Sequence, residues 1–130
     1  MFEVVPWTRA PRYGVDPVCP VSPATVLSID DEILRVVDVD CADPPPGMGG
    51  ADAFVRTDRG FHLFWIKPSA PDPGFFETWG DQHYAACCAE RGTELYYRSK
   101  RTGEKRRCCA LTAEGVEVAD AYNAVVEAAP

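Results

Sequence analysis

The run Ile33-Leu34-Arg35-Val36-Val37-Asp38-Val39-Asp40 constrains this chain more than any other stretch. Ile33, Leu34, Val36, Val37 and Val39 are nearly continuous, the pattern of a strand buried on both faces in the middle of a sheet. Successive side chains of a strand point to opposite faces, so Asp38 and Asp40 project from one face at its carboxyl end. A second run, Gly60-Phe61-His62-Leu63-Phe64-Trp65-Ile66, carries one imidazole among bulky apolar residues. Two carboxylates on one face repel unless a cation or a proton lies between them. Their hard oxygens suit Mg²⁺ or Mn²⁺, and Mg²⁺ in turn favours ligands bearing phosphates. A bland reading competes: an Asp at a strand end often begins a turn, and His62 is also what a satisfied core histidine looks like.

The elements around these runs are short because twelve prolines punctuate the chain, clustering at 6–23, 44–46 and 68–73. Phe2–Val5 and Ala24–Ile29 read as short strands, with an irregular covering loop over 8–23 and a turn at Asp30-Asp31-Glu32. The Gly/Pro-rich segment 41–52 reads as a flexible flap and lacks the order of a phosphate-binding P-loop. Ala53–Thr57 and Gly60–Ile66 form a hairpin turned at Asp58-Arg59-Gly60, with Phe61, Leu63 and Trp65 on one face and His62, Phe64 and Ile66 on the other. Asp72-Pro73 opens a helix over 75–91. Its inward stripe is Phe75, Phe76, Trp79, His83, Ala86, Cys87 and Glu90, weakened in the middle by Gly80-Asp81. Thr93–Ser99 and Lys105–Leu111 form a second hairpin around the turn 101–104. Thr112 caps a closing helix over 113–128 with the stripe Val116, Ala119, Tyr122, Val126 and Ala129. At 130 residues, 46% hydrophobic and 25% charged, these elements predict one α+β domain over 1–130: a mixed sheet of five to six strands with two helices packed on one side.

The net charge of −7 argues against blanket nucleic-acid binding, but it is unevenly spread. Between 98 and 107, six cations stand against Glu104 alone, net +5, which leaves −12 on the rest. The first residues, Met1-Phe2-Glu3-Val4-Val5-Pro6-Trp7, do not read as a signal peptide, and no apolar run is long enough for a membrane span. A cytoplasmic location is therefore expected, with Cys19, Cys41, Cys87, Cys88, Cys108 and Cys109 mainly as buried free thiols. His83 and Cys87, one helical turn apart, with Cys108 or Cys109 would be a Zn²⁺ set. The lack of a CxxC speaks against zinc.

The strand ending in Asp38-Val39-Asp40, the Gly/Pro-rich loop and Val55-Arg56-Thr57-Asp58-Arg59-Gly60-Phe61-His62-Leu63-Phe64 together resemble the archaeo-eukaryotic primase-polymerase core over about a third of the chain. The resemblance implies Asp38 and Asp40 as ligands of a divalent metal, His62 as a triphosphate contact, and nucleotidyl transfer if the centre is active. The family also has a third metal-binding Asp on a later strand. No strand ending in Asp follows His62 here, and Asp81, in a helical segment, is the nearest substitute.

The basic hairpin is a separate constellation. Tyr97, Arg98, Lys100, Arg101, Lys105, Arg106 and Arg107 interleave an aromatic ring with cations that neutralise phosphates, the composition of a nucleic-acid grip. Locally, with the segment that follows, it also resembles the wing of winged-helix proteins. A solvated hairpin that merely counters an acidic body would look the same. The expected function is nucleic-acid or nucleotide binding, as in a minimal or degenerate primase-polymerase domain. The alternative is a non-enzymatic phage or viral accessory or inhibitor protein whose acidic body engages a host protein partner.

Overall fold

The computed structural model describes residues 4–6 and 26–129, and the covering loop and Cys19 lie outside them. Among the described residues, seven strands and three α-helices make an α+β arrangement. The strands are β1 (Val4–Pro6), β2 (Val26–Ile29), β3 (Leu34–Val39), β4 (Ala53–Arg56), β5 (Phe61–Ile66), β6 (Thr93–Tyr96) and β7 (Cys108–Ala110); the helices are α1 (Pro73–Trp79), α2 (Gln82–Arg91) and α3 (Gly115–Ala128). Instead of one mixed sheet there are two, ordered β1-β2-β6 and β3-β5-β4-β7. Every strand pair is antiparallel. The difference arises in the second hairpin. Its arms join different sheets, β6 to β2 and β7 to β4, and they meet each other at the Arg98–Lys105 bridge and the rungs beside it. The basic segment thus spans the junction between the sheets.

The apolar run of β3 lies at a sheet edge, not in the middle. Its outer edge is met by the α1–α2 connection, where the Asp81 amide donates to the Asp38 carbonyl at 2.8 Å. The β3–β5 register then sorts the side chains. Val37, Val39, Phe61, Leu63 and Trp65 share one face and form a cluster with Phe75, Phe76 and Trp79 of α1. The opposite face reads Leu34, Val36, Asp38 along β3 and Ile66, Phe64, His62 along β5, matched pair by pair. The first two of those pairs belong to the larger core with Leu27, Leu95, Tyr97, Val118 and Tyr122. Core turns into polar cleft along a single face.

Two helix expectations shift. The weak point at Gly80-Asp81 is a full break between α1 and α2, where Gly80 turns extended (φ −77°, ψ 143°) and Asp81 starts the next helix as its N-cap. A Cβ at Gly80 would lie 2.5 Å from the Phe76 ring. Beyond it the stripe rotates: Tyr84 packs on the larger core, while His83, Ala86 and Glu90 are exposed. In α3, Val118 takes the buried place expected for Val116, which is 48% exposed. No helix among the described residues is long and apolar enough to cross a membrane.

Asp52 ties the chain behind the cleft. Only 8% exposed, it accepts from the Ile66 amide at 2.8 Å and the Thr112 hydroxyl at 2.9 Å. Its carbonyl receives the Leu111 and Thr112 amides.

Candidate functional site

Asp38 leaves the end of β3 on the cleft face, and Asp40 follows on the same side one step past the strand. Asp81 arrives from the other direction as the N-cap of α2, its Oδ1 accepting from the Tyr84 amide at 2.9 Å. One carboxylate oxygen from each of the three lies within 4.8 Å of the others, the only such group of possible metal ligands among the described residues. At that spacing two full charges repel by roughly 3 kcal/mol at an effective dielectric of about 20, less for the exposed Asp40. The Asp40 carboxyl is held above its usual range. Desolvation by the surrounding wall is the main cause, followed by the Asp38 charge and a hydrogen bond and charge from Asp81; Arg59 partly offsets them. Three oxygen donors that crowd one another, with one of them reluctant to ionise, fit a hard divalent cation.

His62 stands behind Asp38. Its Nε2 lies 3.3 Å from Asp38 Oδ1, with 9% and 16% of the two side chains exposed. The ring stacks on Tyr84, centroids 6.0 Å apart at 18°, and Tyr84 is fixed in turn by its hydroxyl donating to the Glu94 carbonyl. His62 Nδ1 is buried without a partner. A proton on Nε2 directed at Asp38 leaves Nδ1 as an unmatched acceptor, a smaller penalty than an unmatched donor. The geometry makes His62 a brace for Asp38 and gives it little surface on which to meet a triphosphate.

The turn after β4 closes the cleft. Thr57 and Gly60 bond each other twice, amide to carbonyl at 2.8 Å and amide to hydroxyl at 3.0 Å. A Cβ on Gly60 would sit 1.8 Å from the Val39 carbonyl oxygen. Only glycine lets this turn press against the end of β3, which brings Arg59 to the acidic cluster. The cleft, open to solvent, measures about 570 Å³, within the range of small-ligand sites. The three aspartates and His62 line it together with Arg59, Lys100 and Arg106. A second cleft of about 390 Å³ between β3 and α2 is lined by apolar residues such as Leu34, Val36 and Phe76 together with Asp31, Arg35 and Lys67, and the carboxylate cluster is not part of it.

The basic hairpin differs from its expected form. Tyr97 is 0% exposed in the larger core and has no ring face to offer a base, because the hairpin's first arm enters the protein interior here. Arg98 donates to the Gly103 carbonyl at 2.7 Å. Lys105 donates to the Ala129 carbonyl at 2.7 Å, at the carboxyl end of α3 where a cation is favoured. Lys100 lies 4.4 Å above the Tyr96 ring, and Arg106 donates to the Tyr96 carbonyl. Arg101 and Arg107 are exposed. The cations are thus divided between bracing the hairpin, lining the cleft and facing solvent, and they do not form one continuous strip.

The described cysteines are all free. Only Cys108 is buried; desolvation, then Cys109, pushes its thiol up to about 12. Cys41, Cys87 and Cys88 are half-buried and Cys109 is exposed, so the buried-thiol expectation holds at one position. His83 Nε2 and Cys87 Sγ approach to 3.8 Å at the cleft's lip, away from Cys108 and Cys109. Sequence reasoning missed Asp58, whose hydrogen bonds to the hairpin carry no local motif, and Asp52, whose partners are remote in sequence. No family model, no curated protein and no solved structure matches the chain.

Proposed function

We propose that this protein binds a divalent cation, Mg²⁺ or Mn²⁺, through Asp38, Asp40 and Asp81, and with it the phosphates of a nucleotide or nucleic acid. The observation that carries the reading is the convergence of three carboxylates from separate segments within 4.8 Å, opposite cations in the same cleft. A bound cation would neutralise the crowded carboxylates and present a positive centre to phosphate oxygens. Asp38 and Asp40 supply ligands from strand geometry, and Asp81 supplies one from a helix start. His62 fixes the Asp38 rotamer, while Arg59, Lys100 and Arg106 face the remaining phosphate charge.

The resemblance to the primase-polymerase core assigns nucleotidyl transfer to such a centre, and Asp81 supplies a third carboxylate by a different route from the family's strand. We therefore read the chain as a primase-polymerase-like nucleotide-binding domain. Calorimetry with Mn²⁺, alone and with a nucleoside triphosphate, tests this on the wild type, an Asp38→Ala/Asp40→Ala variant and Asp81→Asn. Binding heat in the wild type and its loss in both variants is expected. Absence of heat in the wild type, or heat undiminished by Asp81→Asn, overturns the reading.

A further inference from the structure

Arg106 presents a problem that the cation site does not solve. Its side chain is 9% exposed, and Nε is buried without a hydrogen-bond partner. Nη1 donates to the Tyr96 carbonyl at 3.0 Å. The carboxylate paired with it, Asp58, stays 3.7 Å from Nη2, beyond hydrogen-bond contact. A guanidinium withdrawn this far from water requires an anion in good geometry. Asp58 provides only part of one, because its oxygens are engaged elsewhere: Oδ1 accepts from the Ser99 hydroxyl at 2.7 Å, and Oδ2 from the Lys100 amide at 3.1 Å.

The donors around Asp58 are a hydroxyl, a backbone amide and a guanidinium, a combination that holds a phosphate oxyanion. Asp58 is the more exposed partner, at 28%, and it belongs to the turn, not to the hairpin that carries the donors. We infer that Ser99, Lys100 and Arg106 form a phosphate subsite beside the cation centre. In the free protein Asp58 occupies it as a stand-in anion and yields it to an incoming phosphate. The carboxylate has one charge and two oxygens, both already bonded to other donors. A phosphate group, with more oxygens, reaches Arg106 while keeping the hydroxyl and the amide.

The inference rests on the phosphate-binding reading of the cleft and specifies how access to it is controlled. It also separates cleanly from the view that Asp58 merely anchors the hairpin, because the two predict opposite signs. Asp58→Asn in the full chain retains an oxygen acceptor and loses the competing charge. The probes are a short single-stranded oligodeoxythymidylate without terminal phosphate, followed by anisotropy, and inorganic triphosphate, followed by calorimetry.

A stand-in predicts about fivefold tighter binding of at least one probe, and the responding probe says whether backbone or polyphosphate oxygens fill the subsite. If the oligonucleotide responds, its log–log salt slope steepens by about 0.7, one further phosphate. Adding Ser99→Ala to Asp58→Asn reverses the gain. Unchanged or weaker binding of both probes by Asp58→Asn overturns the inference. Mn²⁺ titration of the same variant separates this from the wider reading: retained Mn²⁺ heat with no tightening fails the subsite alone. Absence of Mn²⁺ heat in the wild type fails the cation centre, and the probe comparison still decides the subsite.

Discussion

The carboxylate of Asp81 caps α2 through the Tyr84 amide and also stands against Asp38 and Asp40, so the choice of replacement separates its two effects. Asn is as good an N-cap as Asp but carries no charge. Asp81→Asn is expected to keep thermal stability and lose cation affinity, whereas Asp81→Ala loses affinity and about 1 kcal/mol of helix capping as well. Comparing denaturant midpoints with Mn²⁺ titrations of the two variants checks this. Asp58 gives a pH prediction. Its carboxyl is held below the usual value, first by the Ser99 hydrogen bond and then by Arg106 and the Lys100 amide. A lowered folded-state value contributes stability that is present above the unfolded value and lost as pH falls through the folded one. The stability difference between wild type and Asp58→Asn should therefore be flat around neutrality and vanish only below the ordinary carboxylate range of about 3.9. Thermal unfolding across that window measures it. A difference that disappears near neutral pH refutes the assignment.

At the scale of elements, the legible parts were those with local causes. The β4–β5 hairpin and its two faces follow from alternation, and the Asp38–Asp40 pairing follows from the period of a strand. The rest depends on contacts that no local pattern encodes. β3 has the apolar content of a central strand yet lies at an edge, because the α1–α2 connection supplies its outer hydrogen bond. The third carboxylate sits at a helix start, so the sequence offers Asp81 only as a substitute for a strand-end aspartate, and its approach to Asp38 and Asp40 depends on the fold. The hairpin over 93–111 was legible as a hairpin, but its division between two sheets is set by β2 and β4. Gly60 joins local and long-range causes: it ends the turn, and its missing Cβ admits the Val39 carbonyl. Gly60→Ala must push the turn off the end of β3, with an expected cost of about 1–3 kcal/mol from overpacking. Because Arg59 moves with the turn, phosphate binding should weaken by more than the fraction of unfolded protein explains, whereas the cation loses a competing positive charge beside Asp40 and should bind no more weakly. Titrations at a temperature where the variant is still folded check the second part.

For the molecule as a whole, the cleft is where the two sheets diverge, and its walls come from segments that share little sequence neighbourhood. Asp38 and Asp40 come from one sheet, Tyr96 and Lys100 from the strand and turn of the other side, and Asp81 from the helix connection between them. Bringing them together costs electrostatic energy that the apolar core behind Val36 and Phe64 must supply, and a cation would return part of it. A ligand that binds only the assembled site stabilises the folded state by about 2.7 kcal/mol at a hundred times its dissociation constant. Mn²⁺ should therefore raise the melting temperature progressively with concentration and without a plateau set by ionic strength. The same ionic strength supplied as a monovalent salt should not reproduce the rise, because screening acts on every charge of the −7 chain and not on one cluster. The Asp38→Ala/Asp40→Ala variant should show no Mn²⁺-dependent rise, its starting melting temperature being set by relief of like-charge repulsion against loss of the partner of buried His62. A concentration-dependent rise that survives in this variant would place the cation elsewhere and break the link between the acidic cluster and the assembled fold.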